Sequence, residues 1–307
     1  MKKDLVSITD LTKEEINKLI YKANDLKTEL KFEPRLPNLA GKTLALIFEK
    51  PSLRTRVTFE VAIRNLSGSA IYLSQNDIGL GKRESVADIS RNLSRWVDGI
   101  TARTFSHQTV IDLANYSKIP VINALSDLEH PCQALADFLT IHDKMGKLEG
   151  VNLAWVGDGN NVCHSLLLGS AILGVNMKIA TPKGYEPKPE IVALGLELAK
   201  KTKAKIILTI DPVEAVKGSD FIYTDTWTSM GQEAEVEKRI AIFGKYQVNK
   251  KLLENASHTY CVMHCLPAHR GQEITDEVLD GPHSVILDQA ENRLHIQRAI
   301  LATLMAK

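Results

Sequence analysis

The second half of the chain alternates short apolar runs with helical patterns, and this alternation constrains the fold more than any other feature. Apolar runs predict strands at residues 151–156, 177–180, 206–209, 221–224 and 260–264. Residues 162–173 and 189–201 have helical spacing between them. Strands that alternate with helices form a parallel sheet covered on both faces. We therefore predict an α/β fold.

The first half carries the same alternation. Strands are predicted at 43–47, 70–73, 99–103 and 121–123, and helices at 11–31, 86–97, 107–116 and 131–145. Residues 75–83 read as a polar, glycine-containing loop. A chain of 307 residues is long for one core. We expect two domains, each a parallel sheet covered by helices: 1–130 together with a C-terminal helix, 291–307, that crosses back to the first domain, and 131–290.

A short polar turn follows the first strand and opens the next helix. It contains Ser52, Arg54 and Thr55. Backbone N–H groups at a helix start favour an anion, and an arginine fork can bind two phosphate oxygens at once. The same residues in isolation are also typical of an ordinary helix cap beside solvated arginines.

Other polar residues fall where predicted strands end, which is where ligands bind in open parallel sheets. They are Arg103, His130, Gln133, Asn160, Asn161, Asp225, Ser229, Met230, His264 and Cys265. The anion-binding groups lie in the first half, and the thiol and the carboxylate lie in the second half. If both domains contribute strand ends to one cleft, the cleft would accept two substrates.

Composition excludes several classes of protein. The chain is 44% apolar and 24% charged, which argues against disorder, and a formal net charge of +1 gives no basic field for nucleic acid or an anionic membrane. No apolar run approaches the roughly 20 residues of a membrane span, and no apolar signal core follows Met1. Four cysteines are too few for a disulfide scaffold. We predict a cytoplasmic protein with free thiols.

Two further motifs suggest other functions. Residues 157–161 (Gly-Asp-Gly-Asn-Asn) follow a strand as a dinucleotide-binding turn does, but the third glycine would fall at Val162 and Asp158 would crowd a pyrophosphate. Cys261, His264, Cys265 and His269 resemble a zinc cluster in composition. Core packing is the better interpretation of Cys261.

Five motifs in order give the chain a family resemblance. They are Ser-Leu-Arg-Thr at 52–55, His-Pro-Cys-Gln at 130–133, Asp-Thr-Trp-Thr-Ser-Met-Gly at 225–231, His-Cys-Leu-Pro at 264–267 and Glu-Asn-Arg at 291–293. Together they resemble the aspartate/ornithine carbamoyltransferase family over essentially the whole chain. The first two are shared across carbamoyltransferases, and the third and fourth are those of the ornithine enzymes. Leu53 and Gly79 depart from the family pattern, which commonly has Thr and Gln there.

The resemblance implies transfer of a carbamoyl group from carbamoyl phosphate to the δ-amino group of L-ornithine, a step of arginine biosynthesis, without a cofactor or metal. It implies that Cys265, Asp225, Arg103 and His130 are catalytic. The implied carbamoyl phosphate ligands are Ser52, Leu53, Arg54, Thr55, Arg103, His130, Gln133 and Arg293. The implied ornithine ligands are Asn161, Asp225, Ser229, Met230, Cys265 and Leu266. It also implies a homotrimer in which the 75–83 loop reaches toward a neighbour's site.

Two alternative functions remain open at this point. A phosphate-type anion-binding module would use only the first-half groups and would leave Asp225, Ser229 and Cys265 without a purpose. A carbamoyltransferase for another amine, such as an acylated ornithine or putrescine, would keep the first-half groups. The Ser-Met-Gly stretch speaks against that second alternative.

Overall fold

The computed structural model describes residues 2–33, 35–228 and 233–306. Contacts divide the chain into two compact units, Met1–Leu139 with Asn292–Lys307 (unit 1) and Thr140–Glu291 (unit 2). The predicted fold class is confirmed, since each unit contains a parallel sheet covered by helices. The assignment of 1–130 and 131–290 to separate substrates stays a prediction. Within the described residues, no helix is both long enough and apolar enough to span a membrane.

Unit 1 is built on a four-stranded parallel sheet. Its strands are β1 (Thr43–Phe48), β2 (Ser69–Ser74), β3 (Gly99–Arg103) and β4 (Val121–Leu125), in the order β2-β1-β3-β4. Its helices are α1 (Lys13–Glu29), α2 (Leu53–Asn65), α3 (Gln75–Ile78), α4 (Val86–Trp96), α5 (His107–Tyr116) and the first part of α6 (Pro131–Met145). The end of the last helix of the chain, from Asn292 onward, also belongs to this unit.

Burial of the central strands stabilises unit 1. β1 is buried from Leu44 to Phe48, as expected of a strand with neighbours on both sides and helices on both faces. The C-terminal segment is tied to this unit by polar contacts as well. Arg298 Nε donates to Asn65 Oδ1 at 3.1 Å, and Lys22 Nζ donates to the Ala302 carbonyl at 2.9 Å. The predicted return of the last helix to the first domain is thereby confirmed.

Unit 2 is built on a five-stranded parallel sheet. Its strands are β5 (Asn152–Val156), β6 (Asn176–Ala180), β7 (Ile206–Thr209), β8 (Phe221–Thr224) and β9 (Cys261–His264), in the order β7-β6-β5-β8-β9. Its helices after α6 are α7 (Asn161–Leu173), α8 (Pro189–Thr202), α9 (Pro212–Val216), α10 (Val236–Phe243), α11 (Lys250–Leu253), α12 (Asp276–Leu279) and the first part of α13 (Ile286–Leu304). The central strands β5 and β8 are joined by stacked Trp155 and Tyr223 rings, 5.1 Å between centroids.

Two predicted segments differ from the structure. The 75–83 segment is not wholly loop: residues 75–78 form the short helix α3, with an Asp77 carboxylate oxygen accepting from the Ser74 backbone N–H at 2.7 Å. α3 ends at Gly79, whose φ of +57° is a left-handed conformation that favours glycine. The last helix begins at Ile286, five residues before the predicted start at 291.

Candidate active site

The polar turn after β1 is a capped helix start, as predicted. Ser52 is the N-cap of α2, and its Oγ accepts from the Thr55 backbone N–H at 3.3 Å. Leu53 points outward with 75% of its surface exposed, so its side chain adds no polar group to the turn. Its backbone N–H still lies in the first turn of the helix, where an anion is favoured.

Buried cations surround this turn in unit 1. Arg103, at the end of β3, is 7% exposed, and Arg293 is 3% exposed. Burial, and the neighbouring charges of Arg293 and Arg54, lower the pKa of Arg103 to about 10. Arg103 is therefore still a cation at neutral pH, held among like charges. Such a cluster is electrostatically unfavourable until an anion occupies it, so the site is organised in advance for an anion.

His130 lies at the start of α6, with only 4% of its surface exposed. Burial lowers its pKa well below the usual 6.5, and the charges of Arg293, Arg103, Arg54 and Lys50 lower it further. The imidazole is consequently neutral at physiological pH. A neutral ring can donate one N–H to a carbonyl oxygen without adding a positive charge.

Gln133 and Arg293 meet at the anion turn. Arg293 Nη1 donates to Gln133 Oε1 at 2.6 Å, and Arg293 Nη2 donates to Thr55 Oγ1 at 3.1 Å. All three side chains are almost completely buried. Residues separated by 238 positions in sequence therefore share one hydrogen-bonded group, and their roles as carbamoyl phosphate ligands stay a prediction.

Lys50 is a member of this cation cluster that sequence reasoning did not select. Its pKa is lowered by burial first and by the Arg103 charge second, which places it among the arginines. Its Nζ lies 4.8 Å from the centroid of the Phe105 ring. Lys50 stands only two residues before Ser52, and lysines in such turns are usually solvated, so the sequence alone gave no reason to choose it.

In unit 2, Asp225 follows β8 and is 6% exposed. Its carboxylate accepts three hydrogen bonds: from the Thr226 backbone N–H at 2.8 Å, from Asn160 Nδ2 at 2.7 Å and from Cys265 Sγ at 3.0 Å. The predicted pairing of carboxylate and thiol at neighbouring strand ends is therefore present. It follows from the parallel pairing of β8 with β9, in which Thr224 lies opposite His264.

Asn160 and Asn161 both follow β5, where the sequence placed polar strand-end residues. Asn160 is the N-cap of α7 and also holds the Asp225 carboxylate, a contact that was not predicted. Asn161, the predicted ornithine ligand, accepts from the Val162 backbone N–H at 3.0 Å through its Oδ1. Both asparagines open α7 beside Asp225, and an asparagine just before an apolar helix was the available signal for Asn160.

His264 fixes the turn that carries Cys265 and Leu266. Its Nδ1 accepts from the Leu266 backbone N–H at 2.9 Å, so its Nε2 carries the proton and donates to Glu273 at 3.0 Å. Leu266, the last of the predicted ornithine ligands, has φ of +59° and packs partly against the core of unit 2. The hydrogen bonds of His264 thus fix the turn in the conformation in which the Cys265 thiol reaches Asp225.

The four residues considered for zinc do not gather as one set in the described part of the chain. His264 and Cys265 lie with Asp225, their ligand atoms all within 4.8 Å of one another. Both ring nitrogens of His264 already have protein partners, as described above. His269 Nδ1 instead lies 2.9 Å from Thr226 Oγ1, and Cys261 is half-buried at the start of β9. This arrangement suits hydrogen bonding better than metal ligation.

A buried ion pair beside Asp225 was not predicted. Arg239 Nη1 lies 3.1 Å from Asp158 Oδ2 and donates to the Trp227 carbonyl at 2.7 Å, and Arg239 Nε donates to Glu235 at 2.9 Å. Burial raises the pKa of Asp158 to about 6 against the opposing effect of Arg239. Arg239 thereby contacts Trp227, which precedes residues 229–232 in sequence, and Glu235, which follows them. The predicted ligands Ser229 and Met230 lie outside the described residues.

Two family models match the chain. The model described as "Aspartate/ornithine carbamoyltransferase, carbamoyl-P binding domain" matches residues 3–143. The model described as "Aspartate/ornithine carbamoyltransferase, Asp/Orn binding domain" matches residues 149–304. Together they account for nearly all of the sequence.

Individual proteins resemble the chain over its full length. An ornithine carbamoyltransferase of Methanosarcina acetivorans is 55% identical over 99% of this chain and 100% of its own, and one of Thermococcus kodakarensis is 51% identical over 99% and 96%. The solved ornithine carbamoyltransferase of Pyrococcus furiosus superposes with a TM-score of 0.96 at 52% identity, covering 98% of this chain and 96% of that one. The proteins that resemble the chain in sequence and the one that resembles it in fold thus carry the same name.

Proposed function

The chain belongs to the aspartate/ornithine carbamoyltransferase family, and from that premise we propose that it transfers the carbamoyl group of carbamoyl phosphate to the δ-amino group of L-ornithine, giving L-citrulline and phosphate. Relatives that are 50–55% identical over almost the whole chain bear the name ornithine carbamoyltransferase. The observation that carries the proposal is the buried cation cluster of unit 1 at the capped start of α2, because a small dianion is the ligand that such a cluster favours.

Unit 1 would bind carbamoyl phosphate. Arg54 and Arg103 hold phosphate oxygens together with Ser52, Thr55 and the backbone of Leu53, and they stabilise the charge that grows on the leaving phosphate. Neutral His130 donates to the carbamoyl oxygen. Gln133 and Arg293 hold the other end of the carbamoyl group. The mutual repulsion of the cations, which contributes to the lowered pKa of Arg103, is relieved when an anion binds among them.

Unit 2 would bind ornithine. Asp225 is the carboxylate that attracts the side-chain ammonium, with Cys265 beside it, and Asn161, Ser229, Met230 and Leu266 hold the amino-acid end. An amine attacks only after losing its proton, and a free amine of this kind has a pKa of roughly 10. A carboxylate would raise that pKa further, so neutralising the amine is not the task of Asp225. Its role is orientation: it holds the amine with the lone pair aimed at the carbonyl carbon as the proton leaves.

The remaining parts of the proposal are carried over from the family resemblance. Residues 1–130 with 291–307 serve carbamoyl phosphate, together with Gln133 at the start of α6, and 131–290 otherwise serve ornithine. The protein acts in the cytoplasm as a homotrimer. Ile71 in the edge strand β2 and Trp96 at the end of α4 are exposed, and they line a cavity of about 380 Å³ together with Leu73 and Leu93. Exposed apolar residues that lie together in this way support an interface with another copy of the chain.

A panel of amines tests the function. The protein is mixed with carbamoyl phosphate and, separately, L-ornithine, an N-acylated ornithine, putrescine or L-aspartate, and ureido product is measured colorimetrically. We expect product with L-ornithine at a rate at least tenfold above any other amine. No product with any amine, despite tight binding of carbamoyl phosphate, would reduce the protein to an anion-binding module. Faster reaction with putrescine or the acylated ornithine would assign it to a different amine.

A further inference from the structure

Asp137, which the proposed mechanism does not use, begins a chain of four buried groups in unit 1. It lies one helical turn after Gln133 on α6, and both side chains are 1% exposed or less. Gln133 Nε2 donates to Asp137 Oδ1 at 2.8 Å, and Gln133 Oε1 accepts from Arg293 Nη1 at 2.6 Å. Arg293 continues to Thr55 at the anion turn.

The chemistry of these partners leaves the Gln133 amide one orientation. A guanidinium has only protons to offer, so it must meet the amide oxygen. A carboxylate has only lone pairs to offer, so it must meet the amide NH₂ group. A reversed amide would face donor against donor at Arg293 and acceptor against acceptor at Asp137. The orientation of Gln133 is therefore set by its neighbours and not by its own rotamer preference.

We propose that Asp137 is a positioning residue for donor selection, which keeps the Gln133 amide oxygen turned toward the substrate. This inference rests on the proposed function, since it deepens the carbamoyl phosphate site. An amide oxygen has two lone pairs, and Arg293 occupies one of them. The second accepts a hydrogen bond from the NH₂ group of a carbamoyl donor. An acyl phosphate of the same size, such as acetyl phosphate, has a methyl group at that place and leaves the buried oxygen without this bond.

Selection of this kind acts through the cost of an unmade hydrogen bond. A site built to bond a substrate NH group rejects the analogue that lacks it, because the buried acceptor stays unpaired. Asp137 contributes indirectly by preventing the amide from rotating or reorienting to suit the methyl group. The phosphate groups of both donors make the same contacts, so the preference concerns the carbamoyl end alone.

The experiment compares three ligands by isothermal titration: carbamoyl phosphate, acetyl phosphate and inorganic phosphate. In Asp137→Leu, which removes the acceptor but keeps the bulk, we expect carbamoyl phosphate to bind about fivefold more weakly, as for loss of one neutral hydrogen bond. Acetyl phosphate and inorganic phosphate should change less than twofold. Asp137→Asn can still accept from Gln133 Nε2, so it should retain most of the preference.

Two comparisons separate positioning from a general effect on folding. Asp143→Leu makes the same change at an exposed position of the same helix and should leave all three affinities unaltered. In a Gln133→Met background, Asp137→Leu should have no further effect on the ratio of carbamoyl to acetyl phosphate affinity, because no amide oxygen is left for Asp137 to orient. Equal weakening of all three ligands, or additive effects in the double variant, would overturn the inference.

A measurement on the unaltered enzyme covers the case in which Asp137→Leu does not fold. With ¹⁵N-labelled glutamine side chains, the Gln133 NH₂ signal is identified by its loss in Gln133→Met. We expect it to exchange with solvent slowly in wild type, because its partner is buried. Rapid exchange would refute the bond to Asp137. Failure of the proposed function would give a different result. The wild-type enzyme would then still prefer carbamoyl phosphate to acetyl phosphate in binding but would form no ureido product.

Discussion

The Cys265 thiol donates a hydrogen bond to the Asp225 carboxylate, with Sγ and Oδ1 separated by 3.0 Å. Asp225 also accepts from Asn160 and from the backbone of Thr226, so its two oxygens are directed before any ligand arrives. A bound ammonium would compete with the thiol for the carboxylate or use its remaining lone pairs. This relationship implies that the two residues contribute unequally to ornithine binding. The carboxylate supplies the charge, and the thiol helps to fix the orientation of the carboxylate.

Substitutions at this pair should therefore differ in severity. Cys265→Ser should retain measurable activity with a raised ornithine KM, because a hydroxyl can still donate to Asp225 and accept from the amine. Asp225→Asn should lose much more, at least a hundredfold in kcat/KM for ornithine, because it removes the fixed charge matched to the ammonium. Steady-state kinetics from pH 6 to about 10 provide the measurement, and activity should rise with pH in both variants as free amine becomes available.

Wild-type ornithine kinetics in Asp225→Asn across that pH range would place the amine pocket elsewhere. An activity of Cys265→Ser below that of Asp225→Asn would reverse the assigned roles. In both variants the carbamoyl phosphate KM should stay near the wild-type value, since Asp225 and Cys265 both lie in unit 2.

Arg54→Lys should weaken carbamoyl phosphate binding more than tenfold and leave the ornithine KM nearly unchanged. An ammonium is a point charge and cannot reproduce a fork that holds two phosphate oxygens. Arg56→Lys is the matched control on the same helix. Arg56 is exposed, pairs with Glu60 at 2.8 Å and lies over the Tyr72 ring, so this substitution should not alter either substrate constant. Equal effects of the two substitutions would contradict the assignment of Arg54.

Asp158 should make unit 2 less stable as the pH rises toward 6. Its pKa is 3.8 in its ordinary state and about 6 in the folded protein, where burial disfavours the charge. Between these values the folded state binds the proton that the unfolded state has released, so the free energy of unfolding falls as pH rises, by about 3 kcal/mol in total. Above pH 6 both states are ionised and this contribution is constant.

The measurement is urea unfolding of wild type and Asp158→Asn from pH 4 to 8. Asp158→Asn also shifts the free energy of unfolding by a constant amount, because it alters the pair with Arg239. The difference in free energy of unfolding between the two proteins should change with pH only between about 4 and 6. A difference that is constant over the whole range, or one that grows in favour of wild type with rising pH, would show that Arg239 and not burial controls this carboxyl.

Oligomeric state is a separate prediction. Light scattering at micromolar concentration should give a mass equal to three copies of the 34.0 kDa chain. The surface at Ile71 and Trp96 is apolar and lies at the edge of the sheet, so Trp96→Asp should lower the mass by adding a charge where an apolar contact is expected. A wild-type mass of a single chain, independent of concentration, would refute the trimer.

Much of the fold could be predicted from the sequence because the strands are short, continuous apolar runs separated by helical patterns. β3 and α5 have the predicted limits, since Gly99 and Arg103, and the Ser106 cap of α5, mark their ends clearly. The helix α3 and the early start of α13 could not be predicted. α3 begins in a polar stretch where a capping contact, Asp77 with Ser74, decides the conformation. α13 begins within the short apolar run at 285–287, which by itself does not distinguish a helix from a strand.

In the candidate site, residues at strand ends could be predicted and residues that act through them could not. Asp225 and Cys265 end neighbouring parallel strands, so the topology alone brings them together. Arg239 and Asp137 lie inside helices, where a charged residue normally indicates a solvent-facing side. Their burial depends on which partners the other elements bring to them, and that information is not local.

The most direct test of the account is the fate of a δ-¹⁵N label in L-ornithine incubated with ¹³C-labelled carbamoyl phosphate and the purified protein. We predict one product, L-citrulline, in which the ¹³C carbonyl is bonded to the δ-¹⁵N, detected by one-bond coupling in the ¹³C spectrum. Arg54→Lys and Asp225→Asn should both suppress this signal. Release of labelled carbamoyl breakdown products with no ¹³C–¹⁵N coupling, or carbamoylation at the unlabelled α-nitrogen, would contradict the account.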